Sequence, residues 1–309
     1  MNIFQKIRRI VRQFVEDPDY KLCQYALLFV KPNRIPDRMW LKYMFHNIFG
    51  YPLNLRHPKS FNEKLNWLKL YDHNPFYSTL VDKIAVKQWV AEKIGAKYII
   101  PTLAVWERAE DIDITNLPNQ FVLKCNHDAG STIICYNKTS FDLEAAKKQL
   151  RESLNNKFYL KYREWAYKYV KPKILAEKYI ADVDVSDVPD YKFFCFNGEV
   201  SFLYVATERN NPNTETRFDF FDINYNHLAV LNEHPNADNQ PPKPQCFNQM
   251  VTFSKILSHG FSHVRCDFYE VNGKLYFGEC TLYHCGGMTQ FKPFEFDVRL
   301  GDMLKLPQE

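Results

Sequence analysis

Four residues near the carboxyl end of the chain have the types and spacing needed to hold a metal ion beside a phosphate. Arg265 and Asp267 alternate along one β-prone run, and an Asn-Gly turn at 272–273 leads into a second run. Glu279 and Thr281 alternate along that second run, so a hairpin can set Asp267 opposite Glu279. Oxygen ligands of this kind suit Mg²⁺, and a neighbouring arginine suits a phosphoryl oxygen. The alternative interpretation is an edge hairpin whose charged side chains pair across the strands.

The two runs, at residues 264–269 and 275–282, also predict the faces on which their side chains lie. Successive side chains of a strand point to opposite faces of the sheet. Strict alternation therefore places Phe277 on the same face as Glu279.

Three charged side chains interrupt apolar β-prone runs farther upstream: Lys124, Glu177 and Lys192. Asp190 opens the last of these runs, which turns back at an Asn-Gly pair. Burying a charged group in a strand costs free energy unless the group has a partner. Each of these positions is therefore a candidate for a role in the site.

A loop of small polar residues follows the strand that carries Lys124. Residues 126–132 read Asn-His-Asp-Ala-Gly-Ser-Thr, and β-prone residues 133–136 come next. Backbone N–H groups and hydroxyls, here those of Ser131 and Thr132, can cradle a phosphate between two strands. Gly130 is the only glycine of the loop and no Gly-Lys-Ser follows it, so the loop is not a Walker A motif.

The elements that must position these residues are mixed in type. Apolar periodicity, with a capping box at Ser60 and Glu63, predicts helices at residues 4–15, 23–30, 38–49, 60–70, 81–95, 141–155, 158–169 and 247–257. Lys83 and Lys87 share one face of the helix at 81–95, either a solvated face or one that contacts a phosphate. Strands joined mostly by hairpins dominate from residue 98 onward, which predicts an α+β fold.

The amino-terminal residues 1–15 form a basic amphipathic pattern, with Lys6, Arg8, Arg9 and Arg12 flanking an apolar stripe. Such a helix suits an anionic membrane surface, or it packs on its own domain or on a partner. No signal peptide and no apolar run long enough to span a bilayer is visible. The expected location is the cytoplasm, with the inner face of the cell membrane as an alternative.

The composition excludes several classes of protein. The chain has 309 residues, 46% of them hydrophobic and 16% aromatic, which excludes global disorder. A net charge of +4 is too small to indicate nucleic-acid binding. Eight cysteines without a CxxC motif predict free thiols in a reducing compartment. His284 and Cys285 lie near Cys280, but this spacing matches no standard zinc site.

Taken in order along the chain, these features resemble the ATP-grasp superfamily, and more closely the TupA-like ATP-grasp family of surface-polysaccharide and teichuronopeptide synthesis. The resemblance covers residues 60–306. Five groups of residues carry it: Asp82-Lys83; Leu117-Pro118 with residues 121–126 (Phe-Val-Leu-Lys-Cys-Asn); residues 176–179 (Ala-Glu-Lys-Tyr); residues 190–198; and residues 264–269 with 276–281.

The resemblance implies an ATP-grasp fold, in which two α+β lobes enclose a nucleotide cleft behind a helical amino-terminal extension. The expected division has four parts: a helical extension at 1–58, a helical segment at 59–116, a small lobe at 117–180 and a large lobe at 181–309.

The resemblance also implies roles for particular residues. ATP would contact Lys83, Lys124, Ser131, Thr132, Glu177, Lys178, Ile180, Asp190 and Lys192. Within that set, residues 177–180 would form the hinge that receives adenine, Asp190 would reach the ribose, and the lysines would reach phosphates. Mg²⁺ would be held by Asp267, Glu279 and Thr281, although relatives usually carry asparagine where Thr281 stands. Arg265, Lys192 and His284 would be catalytic, and His284 is either a base or an ordinary hydrogen-bonded histidine.

The implied activity is that of an ATP-dependent carboxylate–amine ligase, which forms an amide through an acyl phosphate. The expected substrates are a carboxylate such as a uronic acid or glycan and an amine such as an amino acid, with the loop at 126–132 excluding water. One alternative is a glycosyltransferase or another sugar-modifying enzyme on the same scaffold. Another is a non-catalytic nucleotide-binding partner in polysaccharide assembly.

Overall fold

The computed structural model describes residues 17–180, 188–209 and 214–307, together with Gln5. Apart from Gln5, the predicted basic helix at 1–15 lies outside the described residues. Within the described part, the α-helices are α1 (Pro18–Ala26), α2 (Asp37–Phe49), α3 (Phe61–Tyr71), α4 (Tyr77–Val81), α5 (Ala85–Ile94), α6 (Leu143–Asn155), α7 (Tyr159–Tyr162), α8 (Phe247–Ser258) and α9 (Phe294–Met303).

The strands of the described part form two principal antiparallel sheets and one short pair. The small sheet has the order β1-β4-β2-β3, the large sheet the order β11-β10-β5-β6-β7-β8, and β12 pairs with β9. The strands are β1 (Thr102–Trp106), β2 (Phe121–Cys125), β3 (Ile133–Cys135), β4 (Ile174–Lys178), β5 (Asp190–Phe196), β6 (Glu199–Thr207), β7 (Arg217–Asp222), β8 (His227–Leu228), β9 (Leu231–Asn232), β10 (His263–Val271), β11 (Lys274–Thr281) and β12 (Phe291–Lys292).

Local chemistry explains where several helices begin and end. Ser60 accepts from the Glu63 amide, and the Glu63 carboxylate accepts from the Ser60 amide, so the predicted capping box opens α3. The single helix predicted at 81–95 is wrong, because the Asp82 carboxylate accepts the amides of Ile84 and Ala85 and starts a new helix there. Lys83 therefore precedes α5 and shares no helix face with Lys87.

Two other helices differ from their predicted ranges. The helix expected at 23–30 is α1, which begins earlier, at an N-cap Asp17, and ends at Ala26. The helix expected at 158–169 is only α7 followed by a 3₁₀ turn at Trp165–Tyr167. Arg163 adopts a left-handed conformation (φ 55°) between them, which ends α7.

Each sheet has its own apolar core. The larger core joins β5, β6, β7, β10 and β11 to helices α2 to α5, α8 and α9, and its centre is rich in phenylalanine. The smaller core packs the small sheet against α6, around Phe121, Leu123 and Leu150. Burial of these apolar faces holds each sheet rigid, so the polar side chains on the opposite faces have defined positions. Within the described residues, every helix is too short or too polar to cross a bilayer.

Candidate active site

The carboxyl-terminal hairpin pairs β10 with β11 as predicted, with Asp267 opposite Glu279 and Arg265 opposite Thr281. The register then shifts, so that Phe268 lies opposite Phe277 and Gly278 is an extra residue on β11. Phe277 therefore lies on the core face rather than beside Glu279, and the strict alternation predicted for this run is wrong. A side chain at Gly278 would lie 3.1 Å from the Asp267 carbonyl oxygen, so glycine suits the bulge.

Asp267 is fully buried and accepts hydrogen bonds from two cations. Arg265 binds it in a bidentate manner, with Nε 2.7 Å from Oδ1 and Nη2 2.6 Å from Oδ2. Lys192 Nζ lies 2.5 Å from the same Oδ2. A buried carboxylate requires such partners, and the bidentate geometry fixes the plane of the guanidinium.

Asp190 extends this network along the neighbouring strand. Its Oδ2 lies 2.5 Å from Lys192 Nζ and 2.6 Å from Arg209 Nη1. The Asp190 carboxylate is the largest influence on Arg209 and raises its pKa. Asp190 Oδ1 is buried and has no hydrogen-bond partner among the described residues. This oxygen is free to accept a hydrogen bond from a ligand.

Glu279 and Thr281 lie at the edge of the same network. Arg265 Nη2 is 3.3 Å from Glu279 Oε1 and 3.0 Å from Thr281 Oγ1. The Glu279 side chain is 40% exposed, in contrast to that of Asp267. The described residues contain no cluster of three or more His, Cys, Asp or Glu side chains able to hold a metal ion.

The donors present nevertheless suit Mg²⁺ in kind. Asp267, Glu279 and Thr281 offer two carboxylates and a hydroxyl on one face, and magnesium in nucleotide sites commonly uses one or two carboxylates with water and phosphate oxygens. Both Asp267 oxygens are engaged by Arg265 or Lys192, whereas Glu279 is more accessible. Accommodating a cation here requires some of these ion pairs to be exchanged.

His284 does not lie at an open position where it could take a proton from a substrate. It is 1% exposed, its Nδ1 lies 3.0 Å from Arg265 Nη1, and its Nε2 lies 2.8 Å from Asn232 Oδ1. Burial lowers its pKa well below the usual value, and Arg265 lowers it further. His284 is therefore a neutral acceptor that orients Arg265, and the interpretation as a base is corrected.

On the small sheet, Glu177 joins two lysines. Its Oε1 lies 2.6 Å from Lys87 Nζ, and its Oε2 lies 2.5 Å from Lys124 Nζ. Burial alone would raise the pKa of Glu177, but Lys124 and Lys87 together hold it below the ordinary value. Lys87 also donates to the Ile100 carbonyl and to Thr102 Oγ1, so it does not lie on a solvated face.

The loop at 126–132 is braced from within. Ser131 Oγ accepts from the Cys125 amide at 2.8 Å and donates to Asp128 Oδ1 at 2.6 Å. Thr132 is exposed, and none of the described hydrogen bonds involves its side chain. Ser131 therefore shapes the loop, and its hydroxyl is already engaged.

Lys83 is bonded to the loop at 126–132 and lies within electrostatic reach of Glu279. Its Nζ donates to the Asp128 carbonyl, and its amide donates to the Asn126 carbonyl at 3.1 Å. Burial lowers its pKa, while Glu279 is the strongest opposing influence. The lysine of the loop side thus lies within electrostatic reach of a carboxylate of the large sheet.

The predicted hinge begins where β4 ends. The Lys178 side chain is exposed, its amide donates to the Pro101 carbonyl at 3.0 Å, and Ile180 is half-buried. Residues 181–187, which follow, lie outside the described part of the chain.

Comparison with known families shows to which family the chain belongs. A family model described as TupA-like ATPgrasp matches residues 63–305. The chain belongs to the TupA-like ATP-grasp family. The family and the α+β ATP-grasp fold predicted from the sequence are thereby confirmed. No curated protein matches the sequence of this ATP-grasp chain.

Solved structures of ATP-dependent ligases are distantly similar. The D-alanine–D-alanine ligase of Bacillus anthracis complexed with ATP is 14% identical, with a TM-score of 0.37, over 66% of this chain and 54% of that one. The D-alanine–D-alanine ligase of Helicobacter pylori is 15% identical, with a TM-score of 0.44, over 80% and 70%. The L-amino acid ligase of Bacillus licheniformis is 11% identical, with a TM-score of 0.44, over 87% and 61%. The ATP-grasp chain thus spans little more than half of the first ligase.

Two charged residues of these networks were not assigned to the site from the sequence. Lys87 was given two interpretations, a solvated face or a phosphate contact, and its ion pair with Glu177 excludes the solvated face. Arg209 received no role, although it binds Asp190. The position of Lys87 four residues after Lys83 was the available signal, and for Arg209 no local signal exists.

Proposed function

We propose that the chain is an ATP-dependent carboxylate–amine ligase. The observation that carries the proposal is the arrangement of charge across one cleft. Lys83, Lys87 and Lys124 lie on the small-sheet side, and Lys83 is within electrostatic reach of Glu279 on the large-sheet side. Cations opposite carboxylates suit a triphosphate that is held together with a divalent ion.

The residues of the small sheet would bind the nucleotide. Lys124 and Lys87 would exchange Glu177 for phosphate oxygens, and the loop at 126–132 would close over the phosphates and exclude water. Adenine would lie against residues 177–180. The unpartnered Asp190 Oδ1 would accept a ribose hydroxyl.

The residues of the large sheet would stabilise phosphoryl transfer. Asp267, Glu279 and Thr281 would hold Mg²⁺, which neutralises triphosphate charge when it is bound. Arg265 and Lys192 would then face the phosphoryl group and stabilise its developing charge. The neutral His284 keeps the Arg265 guanidinium in place for that task.

The proposed chemistry proceeds in two steps. A carboxylate oxygen of the acyl substrate attacks the γ-phosphorus, the bond from that phosphorus to the bridging oxygen breaks, and ADP leaves. The amine nitrogen then attacks the acyl carbon, the bond from carbon to the phosphate oxygen breaks, and phosphate and one proton leave. Positioning and charge neutralisation are what the protein supplies to both steps.

The family assignment supports a role in surface-polysaccharide or teichuronopeptide synthesis in the cytoplasm. We infer an acyl substrate that carries a uronic acid or a related glycan carboxylate, and an amine substrate that is an amino acid or peptide. Both would enter from the side of the cleft opposite the hinge.

The proposal is tested by incubating the purified chain with ATP, Mg²⁺ and panels of uronic acids and amino acids. ADP release that requires both a carboxylate and an amine, together with an amide product, is the expected result. Hydroxylamine in place of the amine should yield a hydroxamate from the activated carboxylate. Release of a nucleoside diphosphate from a nucleotide-sugar would instead indicate a glycosyltransferase, and binding of ATP without any turnover would indicate a non-catalytic partner.

A further inference from the structure

Glu164 is a buried carboxylate to which the chemistry above assigns no role. Its residue is 7% exposed, and none of the hydrogen bonds or ion pairs of the described residues involves its side chain. A buried carboxylate without a hydrogen-bond donor loses hydration, and the charge of Lys69 compensates only part of this loss. Such a group is retained more readily if a ligand supplies the missing positive charge.

The segment that carries Glu164, residues 162–167, packs against the turn that follows the hairpin of β10 and β11, here called the site hairpin. Glu164 caps the 3₁₀ turn at Trp165–Tyr167. Lys69 Nζ donates to the Tyr162 carbonyl at 2.8 Å and to the Gly286 carbonyl at 2.7 Å, so it joins this segment to the turn after β11. The segment also packs closely, because a Cβ at Gly286 would lie 2.5 Å from the Tyr162 ring. Glu164 therefore occupies a fixed position beside the end of β11.

The electrostatic surroundings show which space Glu164 faces. Burial raises its pKa, and Lys69 is the strongest influence that opposes this. Arg265 also lowers this pKa, while Glu279 raises it. Lys69 does not form an ion pair with it, since the Lys69 ammonium is directed at the two carbonyl oxygens. Glu164 thus lies within electrostatic reach of the residues proposed to surround the transferring phosphoryl group.

A second polar group of the same segment faces this space. No described hydrogen bond involves the Tyr167 hydroxyl. Burial raises the pKa of Tyr167, and Glu164, Glu279 and Asp128 raise it further. The hydroxyl therefore lies within electrostatic reach of Asp128 in the loop at 126–132 and of Glu279 on β11.

We propose that the Glu164 carboxylate binds the ammonium group of the amine substrate, with the Tyr167 hydroxyl as a second acceptor, and takes one proton from it, so that the nitrogen lone pair is free to attack the acyl carbon. This inference rests on the proposed ligase function and names the residue that selects a cationic amine. An anionic or neutral ligand would leave the carboxylate unpaired. A metal ion would require more carboxylate, imidazole or thiolate ligands than the described residues bring together.

The test compares amide formation with hydroxamate formation in Glu164→Gln and in the matched control Glu152→Gln, an exposed position on α6. Hydroxylamine is largely uncharged at neutral pH, so it does not need a carboxylate counter-ion. In Glu164→Gln, the KM for the amino acid with the highest turnover in the panel should rise at least about tenfold. This factor corresponds to the loss of roughly one charge-assisted hydrogen bond. The ratio of hydroxamate to amide formed should rise by the same factor, and Glu152→Gln should match the wild type in both.

An unchanged amine KM and product ratio in Glu164→Gln would overturn the inference. Failure of the wild type to form any hydroxamate would overturn the proposed function instead. Thermal unfolding then decides the role of Glu164 separately: the unpaired carboxylate predicts a Tm for Glu164→Gln equal to or above that of the wild type. A fall of more than about 3 °C, roughly 1 kcal/mol, would show that Glu164 is a structural partner of Lys69 and would also overturn the inference.

Discussion

The charged side chains on the small-sheet side and on the large-sheet side of the cleft are paired in different ways. On the small-sheet side, Glu177 is shared by Lys87 and Lys124, and Lys83 is balanced only by carbonyl and longer-range contacts. That side carries an excess of positive charge. On the large-sheet side, cations and carboxylates alternate in one connected network: Asp190, Asp267 and Glu279 with Lys192, Arg209 and Arg265.

This difference determines how many ion pairs a ligand must displace on each side. An excess of lysine attracts an anion, and under the proposed function a phosphate has to replace only one carboxylate, Glu177, on the small-sheet side. The network on the large sheet is already balanced, and a divalent ion must displace Arg265 or Lys192 from Asp267. We therefore expect substitutions on the large sheet to affect turnover most, and substitutions on the small sheet to affect stability and nucleotide affinity.

The largest effect is expected for Asp267→Asn. The substitution removes a proposed metal ligand and the acceptor that orients Arg265, so turnover should fall by roughly 10³-fold or more. The stabilisation by Mg·ATP in thermal unfolding should disappear. Because Arg265 and Lys192 lose a buried counter-charge, the free energy of unfolding should also fall by about 3 kcal/mol.

The matched control is Asp238→Asn, at an exposed position. It should retain both turnover and the shift in Tm caused by Mg·ATP. An undiminished shift in Asp267→Asn would contradict the metal assignment.

For Glu177→Gln, the expected effect is on stability rather than on turnover. Lys87 and Lys124 would face each other without a shared carboxylate, so the free energy of unfolding should fall by about 3 kcal/mol at neutral pH. Glu92→Gln, an exposed position on α5, should change it by less than about 0.5 kcal/mol.

The pH dependence of that difference has a definite sign. The folded-state pKa of Glu177 lies below its ordinary value of 4.5. The stabilisation is therefore complete above pH 4.5 and is lost as the pH falls through the folded-state pKa. Urea unfolding at several pH values should show wild type and Glu177→Gln converging in acid, and a constant difference would exclude Glu177 as the source.

An intermediate effect on turnover distinguishes the two roles considered for His284. If His284 is a neutral acceptor that orients Arg265, His284→Ala should lower kcat about 10-fold, and His284→Asn should restore part of this loss. The wild-type pH–rate profile should lack a limb from His284, because its pKa lies well below 6.5. A limb near neutrality that vanishes in His284→Asn would reinstate it as a base.

The smallest effects separate two adjacent hydroxyls of the loop at 126–132. Ser131→Ala removes the bonds to the Cys125 amide and Asp128, so it should cost about 1 kcal/mol of stability and raise the KM for ATP a few-fold. Thr132→Ala should leave stability within about 0.5 kcal/mol, and a larger rise in KM for Thr132→Ala than for Ser131→Ala would show a direct phosphate contact at Thr132.

A structural feature could be predicted from the sequence when its physical cause lies within a few residues of it. The hairpin of β10 and β11 was predictable because alternation and an Asn-Gly turn act within a few residues. The bulge at Gly278 was not, since a glycine inside a strand is compatible with a regular strand. The break between α4 and α5 depends on the cap at Asp82, which the continuous apolar periodicity of residues 81–95 concealed.

The remaining differences arise from contacts between distant parts of the chain. The ion pair of Lys87 with Glu177 joins a helix to a strand of the small sheet. The neutral state of His284 depends on burial and on Arg265, and neither is visible in the residues around it. The unpaired state of Glu164 likewise appears only when the segment at 162–167 packs on the hairpin.

The bulge at Gly278 lets Phe277 and Glu279 lie on opposite faces of β11 although they are two residues apart in the sequence. Deleting Gly278 would give a regular strand in which Phe277 still lies opposite Phe268 and Glu279 still lies opposite Asp267. The loss of this one codon would therefore keep both faces of β11, whereas the loss of a neighbouring residue would turn part of the strand over. Gene comparisons that count only substitutions would overlook such a change, and insertions or deletions between 274 and 281 are the events to examine first in divergent relatives.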